Sequence, residues 1–218
     1  MGECSAQTRG HFPGSRAERE CSEHGHKPSR VPAALHCAPE SSETAKLVDR
    51  DGGIVVVTKG VIDQAAINAY TAGQCIVLAI ELAEAIGSNR IAVLASYPER
   101  ADGAKYSPDI HHAWALSPNG TVGFDIQESQ TVAFLRVAAM VHSKTKHKAE
   151  LHCLATDEAR RVMSARAPEQ DFETAASFVE PLLRQRPEML QDEAFSAGDM
   201  RFKEDGTVEV FVNGEWYA

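Results

Sequence analysis

The sequence predicts an α+β fold in which a helix packs on one face of a central antiparallel sheet. The helix is predicted over 75–86, where apolar residues recur at helical spacing and Gly87 follows as a natural C-terminal residue. Two turn sequences, Pro118-Asn119-Gly120 and Asn213-Gly214, predict β-hairpins, because Pro presets φ and Gly readily adopts a positive φ. Hairpins join antiparallel strands, so an antiparallel sheet is expected.

The other elements follow from local patterns in chain order. A β-branched run between glycines predicts a strand over 54–57, and the spacing of small and apolar residues predicts a helix over 61–70. Further strands are predicted over 90–97, 111–117, 121–126, 207–212 and 215–217, and further helices over 157–165 and 172–185. These later helices would add a second layer to the sheet. The segment 132–141 fits either a helix or a buried strand.

Composition and charge limit the classes of function. The chain has 218 residues, 43% of them hydrophobic and 24% charged, which fits one globular domain with room for a tail. Its net charge of -9 argues against binding to nucleic acid, which requires a basic surface, and against binding to anionic membranes. No apolar run approaches the ~20 residues that span a bilayer, and 1–30 lacks the apolar core of a signal peptide. A cytoplasmic location without membrane contact is therefore expected.

Residues 1–45 differ in composition from the rest and are predicted to form a disordered tail before an ordered domain over 46–218. They carry too few large apolar side chains to offset the entropy of folding. Cys21 and His24 have the spacing of half a zinc site, but a second pair at the usual separation is missing, so no metal site is expected. The five cysteines do not have the pattern of a disulfide framework, and no cofactor is expected.

Cys75 is the candidate nucleophile, because it lies in the first turn of the predicted 75–86 helix. The positive end of a helix dipole stabilises a thiolate, and the free N–H groups of a first turn can face a developing oxyanion. Gly73 is expected to allow a sharp turn and the close approach of a substrate. Gln74 and Tyr70 are weaker candidates for contact with the substrate or with the oxyanion.

The base, and the group that orients it, are expected on the first predicted hairpin, which carries His111, His112 and Asp125. Because alternate strand residues face opposite sides, only one of the two histidines would share a face with Asp125. A two-residue Asn119-Gly120 loop would place His112 on that face, whereas a three-residue loop that includes the proline would place His111 there. The residues alone leave both registers open.

Three short motifs resemble those of transglutaminase-like proteins in the papain-like cysteine protease superfamily. Gly73-Gln74-Cys75 is similar to the segment at the family's nucleophile, His112-Ala113-Trp114-Ala115 to its His-Ala-Trp strand, and Phe124-Asp125 to the Phe-Asp pair that completes its triad. The resemblance covers roughly residues 54–130 and extends to small bacterial and phage proteins of that fold group. It implies a papain-like core and favours His112 over His111 as the base.

The resemblance implies a cysteine-dependent acyl-transfer enzyme in which Cys75, His112 and Asp125 form a triad. A protein, peptide or amide is the expected substrate, and the expected activity is that of a peptidase, an amidase or deamidase, or a transglutaminase-type transferase. Ile76 stands where the family commonly has an aromatic residue, and Ile126 where it has a proline, which weakens a claim of protein cross-linking. The alternative is a non-catalytic binding module, such as a toxin or phage accessory protein, that keeps the papain-like fold as a scaffold.

Overall fold

The structure is a computed structural model that describes residues 43–96, 109–143, 149–191 and 194–218. In these ranges the strands are β1 Thr44–Val48, β2 Ile54–Thr58, β3 Arg90–Ser96, β4 Asp109–Leu116, β5 Val122–Phe124, β6 Ser129–Thr131, β7 Ala149–Ala155, β8 Met200–Phe202, β9 Val208–Val212 and β10 Glu215–Tyr217. The helices are α1 Gln64–Thr71, α2 Cys75–Ala85, α3 Val132–Ser143, α4 Thr156–Met163 and α5 Glu169–Gln185, followed by a 3₁₀ turn at Pro187–Leu190.

A five-stranded antiparallel sheet forms the largest layer, in the order β6-β5-β4-β3-β7. All of β3 is buried, because the strand has a partner on each side and helices on both faces. Two smaller antiparallel sheets are β1-β2 and β8-β9-β10. The predicted combination of α-helices with antiparallel sheets is confirmed.

Helix α2 is enclosed by other elements. Of its 11 residues, 8 are buried, and its polar side carries Glu81 and Glu84, which form ion pairs with Arg160 of α4. It packs on the sheet against β3 and β4, and it also packs against α5 and α4. Val93 and Ala115 of the sheet belong to the same buried cluster as Phe178 of α5. The fold thus holds the N-terminal end of α2 at a fixed place relative to β4.

Helix α3 covers the opposite face of the sheet. Its Leu135 is buried in a second cluster with Trp114 and Leu116 of β4. Gly123 of β5 makes this packing possible, because a Cβ there would lie 2.9 Å from Leu135 Cδ1 and 3.0 Å from Trp114 Cβ. The segment 132–141, which the sequence left open between helix and strand, is therefore part of a helix.

Several element boundaries differ from the prediction. Strand β1 begins at Thr44, within the last residues of the segment that the sequence predicts as a tail. The rest of that tail, including Cys21 and His24, lies outside the described residues. Strands β6 and β8 are not predicted, and β5 ends at Phe124 because Asp125 turns out of the ladder to accept hydrogen bonds from the next turn.

In the described part of the chain, no single helix has both the length and the apolar character needed to cross a membrane. Helices α1 and α2 reach that length only together, and a bend of 100° separates them. Most of α2 is buried against the sheet and α5, as in the core helix of a folded domain.

A β-bulge interrupts β4 beside the two histidines. Leu94 pairs with His112, but the next residue of β3 pairs with Ile110, so His111 is the extra residue. Strict alternation would send Ile110 and Ala113 to opposite faces, yet both pack in the core on the α2 side. The expectation that alternation places His111 and His112 on opposite faces is therefore wrong.

Candidate active site

Cys75 is the first residue of α2, and its position is fixed by the packing of the preceding segment against the turn between β1 and β2. Arg50 N, in the turn between β1 and β2, donates a hydrogen bond of 2.7 Å to Ala72 O at the end of α1. Gly73 follows with φ +141°, and a Cβ at this position would lie 2.7 Å from Arg50 N. The chain's own backbone fills the space beside Gly73. The expectation that this glycine allows the close approach of a substrate is therefore wrong.

The first turn of α2 presents backbone N–H groups beside the thiol. The first hydrogen bond of the helix runs from Leu78 N to Gln74 O, and no side chain caps this end. Among the described residues, the N–H groups of Cys75, Ile76 and Val77 have no hydrogen-bond partner. These groups form the positive end of the helix dipole, so they are available to an anion next to Cys75.

His112 meets both other members of the predicted triad. Its Nε2 lies 2.7 Å from Asp125 Oδ2, and the Cys75 side chain lies close enough to the ring to raise its pKa. Because Asp125 occupies Nε2, Nδ1 is the ring nitrogen left for the thiol. The ring of Trp114 packs edge-on against His112 with a centroid distance of 4.5 Å, which restricts how the imidazole can turn.

Asp125 is fixed at both carboxylate oxygens. Its Oδ1 accepts hydrogen bonds from Gln127 N at 2.8 Å and Glu128 N at 2.9 Å, while its Oδ2 faces His112. Its own backbone carbonyl accepts a hydrogen bond from Arg186 Nη2, just beyond the end of α5. The turn between β5 and β6 and the end of α5 together set the position of the carboxylate.

The electrostatics of the pair favour its charged form. Burial lowers the pKa of His112, but the hydrogen bond to Asp125 and the electrostatic interactions with Cys75 and Asp125 outweigh burial and raise this pKa from 6.5 to about 9. Burial also opposes the ionisation of Asp125, but hydrogen bonds from His112 and from two backbone N–H groups hold its pKa below the usual 3.8. At neutral pH the pair is therefore an imidazolium beside a carboxylate.

His111 is held away from this pair. Its Nε2 lies 2.8 Å from Ser96 Oγ, and its ring centroid lies 4.1 Å from that of His142 on α3. The structure therefore brings His112, and not His111, to Asp125.

The register of β4 and β5 brings His112 next to Asp125. Ala115 pairs with Phe124, and Ser117 N donates to Val122 O at 2.8 Å. This is the strand register that a two-residue Asn119-Gly120 loop would produce, although the loop in the structure is longer. Gly120 N bonds to Ser117 O, so the connection runs over 118–121 and turns at its proline.

The chain was compared with protein-family models, with curated proteins and with solved structures. None of the three comparisons finds a match. The chemical interpretation therefore depends on the geometry of the residues themselves. Among the described residues, no group of three or more His, Cys, Asp or Glu side chains could hold a metal ion.

Gln74 is buried and directed away from the thiol. Its Nε2 donates to Val48 O at 3.0 Å and to Asp171 Oδ2 at 3.3 Å, which uses both N–H bonds of the amide. No side-chain N–H of Gln74 is left for an oxyanion in this arrangement. The side chain instead joins β1 to α5 behind the start of α2.

Tyr70 belongs to the core between α1 and α5. Its ring packs edge-on against Phe178, with a centroid distance of 5.3 Å. Its hydroxyl is buried without a hydrogen-bond partner among the described residues. Burial, together with the negative charges of Asp171 and Glu81, raises the pKa of Tyr70 above its ordinary value. These contacts are those of a packing residue.

Two contributors to the site escaped the sequence analysis. Arg186 lies 61 positions after Asp125 and belongs to no recognisable motif, so nothing in the sequence predicts its hydrogen bond to the Asp125 carbonyl. The contact between Trp114 and His112 could have been predicted, since residues two apart on a strand share a face. His152 and Cys153 form another Cys/His pair, but they are adjacent residues of β7, and burial raises the pKa of Cys153.

Proposed function

We propose that this chain is a cysteine-dependent acyl-transfer enzyme with a papain-like core, and that it acts on an amide or peptide carbonyl. One observation carries the proposal: Cys75, at the uncapped start of a buried helix, lies near enough to raise the pKa of an imidazole that Asp125 holds at 2.7 Å. A thiol, an imidazole and a carboxylate in this order can serve as nucleophile, base and orienting group.

The first half of the reaction forms a thioester. The His112 imidazolium stabilises the Cys75 thiolate, and the thiolate attacks the substrate carbonyl carbon. The negative charge that develops on the carbonyl oxygen is stabilised by the free N–H groups of Cys75 and Ile76. His112 then protonates the leaving nitrogen as the C–N bond breaks, which releases an amine and leaves the acyl group on Cys75.

The second half releases the acyl group. His112, now neutral, removes a proton from water or from a primary amine, which attacks the thioester carbonyl. The C–S bond breaks with its electron pair on the sulfur, which restores the Cys75 thiolate beside the His112 imidazolium. Water yields a carboxylic acid, whereas an amine yields a new amide. Asp125 stabilises the imidazolium in both halves and keeps Nδ1 directed at the sulfur.

The test is to compare Cys75→Ala with Cys153→Ala. Cleavage of a library of internally quenched peptides measures hydrolysis, and incorporation of a fluorescent primary amine into casein measures transfer. We expect Cys75→Ala to lose activity by about 10³-fold or more with an unchanged circular dichroism spectrum. Cys153→Ala, which alters a thiol outside the triad, serves as the control and should keep the activity. Full activity in Cys75→Ala would contradict the assignment of the nucleophile.

A second candidate is a non-catalytic binding module on the same scaffold. The observation that favours it is the burial of Cys75, whose exposed fraction is 5%. A thiol kept only for packing would behave as a small apolar side chain. In that case the wild type would be inactive in both assays, and Cys75 would be alkylated no faster than Cys153.

A further inference from the structure

A cavity of about 230 Å³ is lined in part by Ile76, the residue that follows the candidate nucleophile. Helices α2 and α4 and strands β3, β4 and β7 contribute to its walls. Ile76, the residue after Cys75, forms one wall, and Ile110, two residues before His112 on β4, forms another. The cavity is thus lined by residues that lie one and two positions from Cys75 and His112 in the chain.

The cavity has an apolar floor and an accessible rim. Val93 of β3 and Ala159 of α4 lie at its floor, and each is only 3% exposed. Val162, Glu158 and Arg166 lie at the rim, where all three side chains are exposed to solvent. A ligand can therefore enter from solvent past α4 and reach buried apolar surface.

The size and lining of the cavity define a class of ligand. An apolar protein cavity of about 150 Å³ is large enough to bind benzene, so this larger cavity has room for a phenyl ring or a branched aliphatic group. A charged group would lose its hydration on the apolar floor without gaining a partner there. The polar residues of the lining are His152 on β7 and, at the rim, Glu158 and Arg166, whose charges have opposite signs; the other lining residues are apolar.

We propose that this cavity binds a large apolar side chain of the substrate, close to the carbonyl that Cys75 attacks. The inference rests on the function proposed above and adds a substrate class to it. Ile76 connects the two sites, because its free backbone N–H faces the oxyanion position while its side chain lines the cavity. A carbonyl held at the first turn of α2 therefore has an apolar binding site within reach of its own side chain.

The test uses N-acetyl-aminoacyl chloromethyl ketones with glycine, leucine, phenylalanine or glutamate side chains. The thiolate sulfur displaces chloride from the chloromethyl carbon, so a C–S bond replaces the C–Cl bond and labels Cys75. We expect the phenylalanine and leucine reagents to label Cys75 at least about tenfold faster than the glycine and glutamate reagents, because only the first two place an apolar side chain in the pocket. Peptide mass spectrometry distinguishes Cys75 from Cys153.

A variant at the rim links this preference to the cavity. Val162→Phe fills the entrance from a position that is 46% exposed, so the core stays intact. The ratio of the phenylalanine rate to the glycine rate should fall by about tenfold, and Val162→Asp should lower it as well by placing a charge in the entrance. Val137→Phe is the matched control, since Val137 on α3 is 56% exposed and does not line the cavity.

The outcomes separate this inference from the proposed function. Fast labelling of Cys75 by all four reagents without preference would overturn the apolar site but leave the nucleophile standing. A preference that survives both Val162 variants, or that falls equally in Val137→Phe, would also overturn it. Labelling of Cys75 no faster than that of Cys153 would contradict the proposed function itself, and the inference with it.

Discussion

At the scale of single residues, the geometry of the candidate site depends on Asp125. One of its oxygens accepts two backbone N–H groups of the following turn, and the other accepts from His112. The backbone hydrogen bonds therefore hold the carboxylate in place independently of His112. Because the carboxylate occupies Nε2 of His112, Nδ1 is the ring nitrogen that remains for Cys75. A residue that only neutralised the imidazolium would not need this second set of bonds.

The first prediction concerns Asp125→Asn. Without the carboxylate charge, the pKa of His112 should fall from about 9 toward its ordinary value of 6.5. Turnover should fall by about 10²-fold, because the imidazolium loses its stabilising partner. Titration of the His112 ring protons by NMR measures the pKa. Asp205→Asn, at an exposed aspartate bonded to Thr207, is the control. An unchanged His112 pKa in Asp125→Asn would contradict this role.

The residues of the candidate site could largely be predicted from the sequence, because each lies in a short motif on a recognisable element. The position of Cys75 at a helix start and of His112 on a strand followed from local patterns. The roles of Gly73 and Gln74 could not be predicted, because both depend on β1 and on the turn after it, which are distant in sequence. Their contacts with Arg50 and Val48 are properties of the packed fold.

At the scale of elements, the start of α2 is positioned by backbone packing and not by a side-chain cap. Ala72 and Gly73 dock on the turn between β1 and β2, and α2 begins two residues later. The small β1-β2 sheet therefore contributes to the site without containing any reacting group.

Gly73→Ala tests this junction. The added Cβ would meet Arg50 N at 2.7 Å, so the junction must open or the helix start must move. Gly87→Ala is the matched control, because Gly87 also has a positive φ but has open space around its missing Cβ. The control should cost about 1 kcal/mol from backbone conformation alone, and Gly73→Ala should cost about 2 kcal/mol or more beyond that. Urea unfolding measures both, and equal losses would refute the packing role of Gly73.

Arg186→Met tests the contribution of the end of α5. The variant removes a charged donor from the Asp125 carbonyl, which should lower the free energy of unfolding by about 1.5–3 kcal/mol. Arg184→Met is the control, because Arg184 forms an exposed pair with Glu180 on the same helix and should cost less than about 1 kcal/mol. If the Arg186 bond also positions Asp125, the His112 pKa will fall in Arg186→Met and not in Arg184→Met. An unchanged pKa would limit Arg186 to a structural role.

Element types were easier to predict than element details. The apolar repeat of α2 and the turn sequences at 118–120 and 213–214 are local signals, and the elements formed as expected. The bulge at His111 has no such signal, because it arises from how β4 fits against β3. The same holds for the early end of β5, which the side-chain bonds of Asp125 determine.

At the scale of the whole molecule, the site lies where the central sheet meets the buried helix. The packing of α2 between the sheet and α5 holds the thiol, and β4 carries the imidazole. Because both ionisable partners of the pair are largely buried, their protonation is linked to the stability of the entire fold.

This linkage predicts a pH dependence of stability. The folded-state pKa of His112 is raised from 6.5 to about 9, so its contribution is fully present below pH 6.5 and is lost as the pH rises through about 9. The pKa of Asp125 is lowered, so its contribution is present above pH 3.8 and is lost as the pH falls further. The free energy of unfolding should therefore drop between pH 6.5 and 9 by more in the wild type than in His112→Asn. Parallel curves in urea unfolding would contradict the raised pKa.

The most direct measurement of the central claim is the rate at which iodoacetamide alkylates each cysteine between pH 5 and 9, with peptide mass spectrometry to separate Cys75 from Cys153. We predict that Cys75 reacts much faster than Cys153 at pH 6, that its rate changes little between pH 6 and 8, and that His112→Ala removes this advantage. Burial raises the pKa of Cys153, so its rate should stay low and increase with pH. A Cys75 rate that matches Cys153 at pH 6 and rises about tenfold per pH unit would contradict the account.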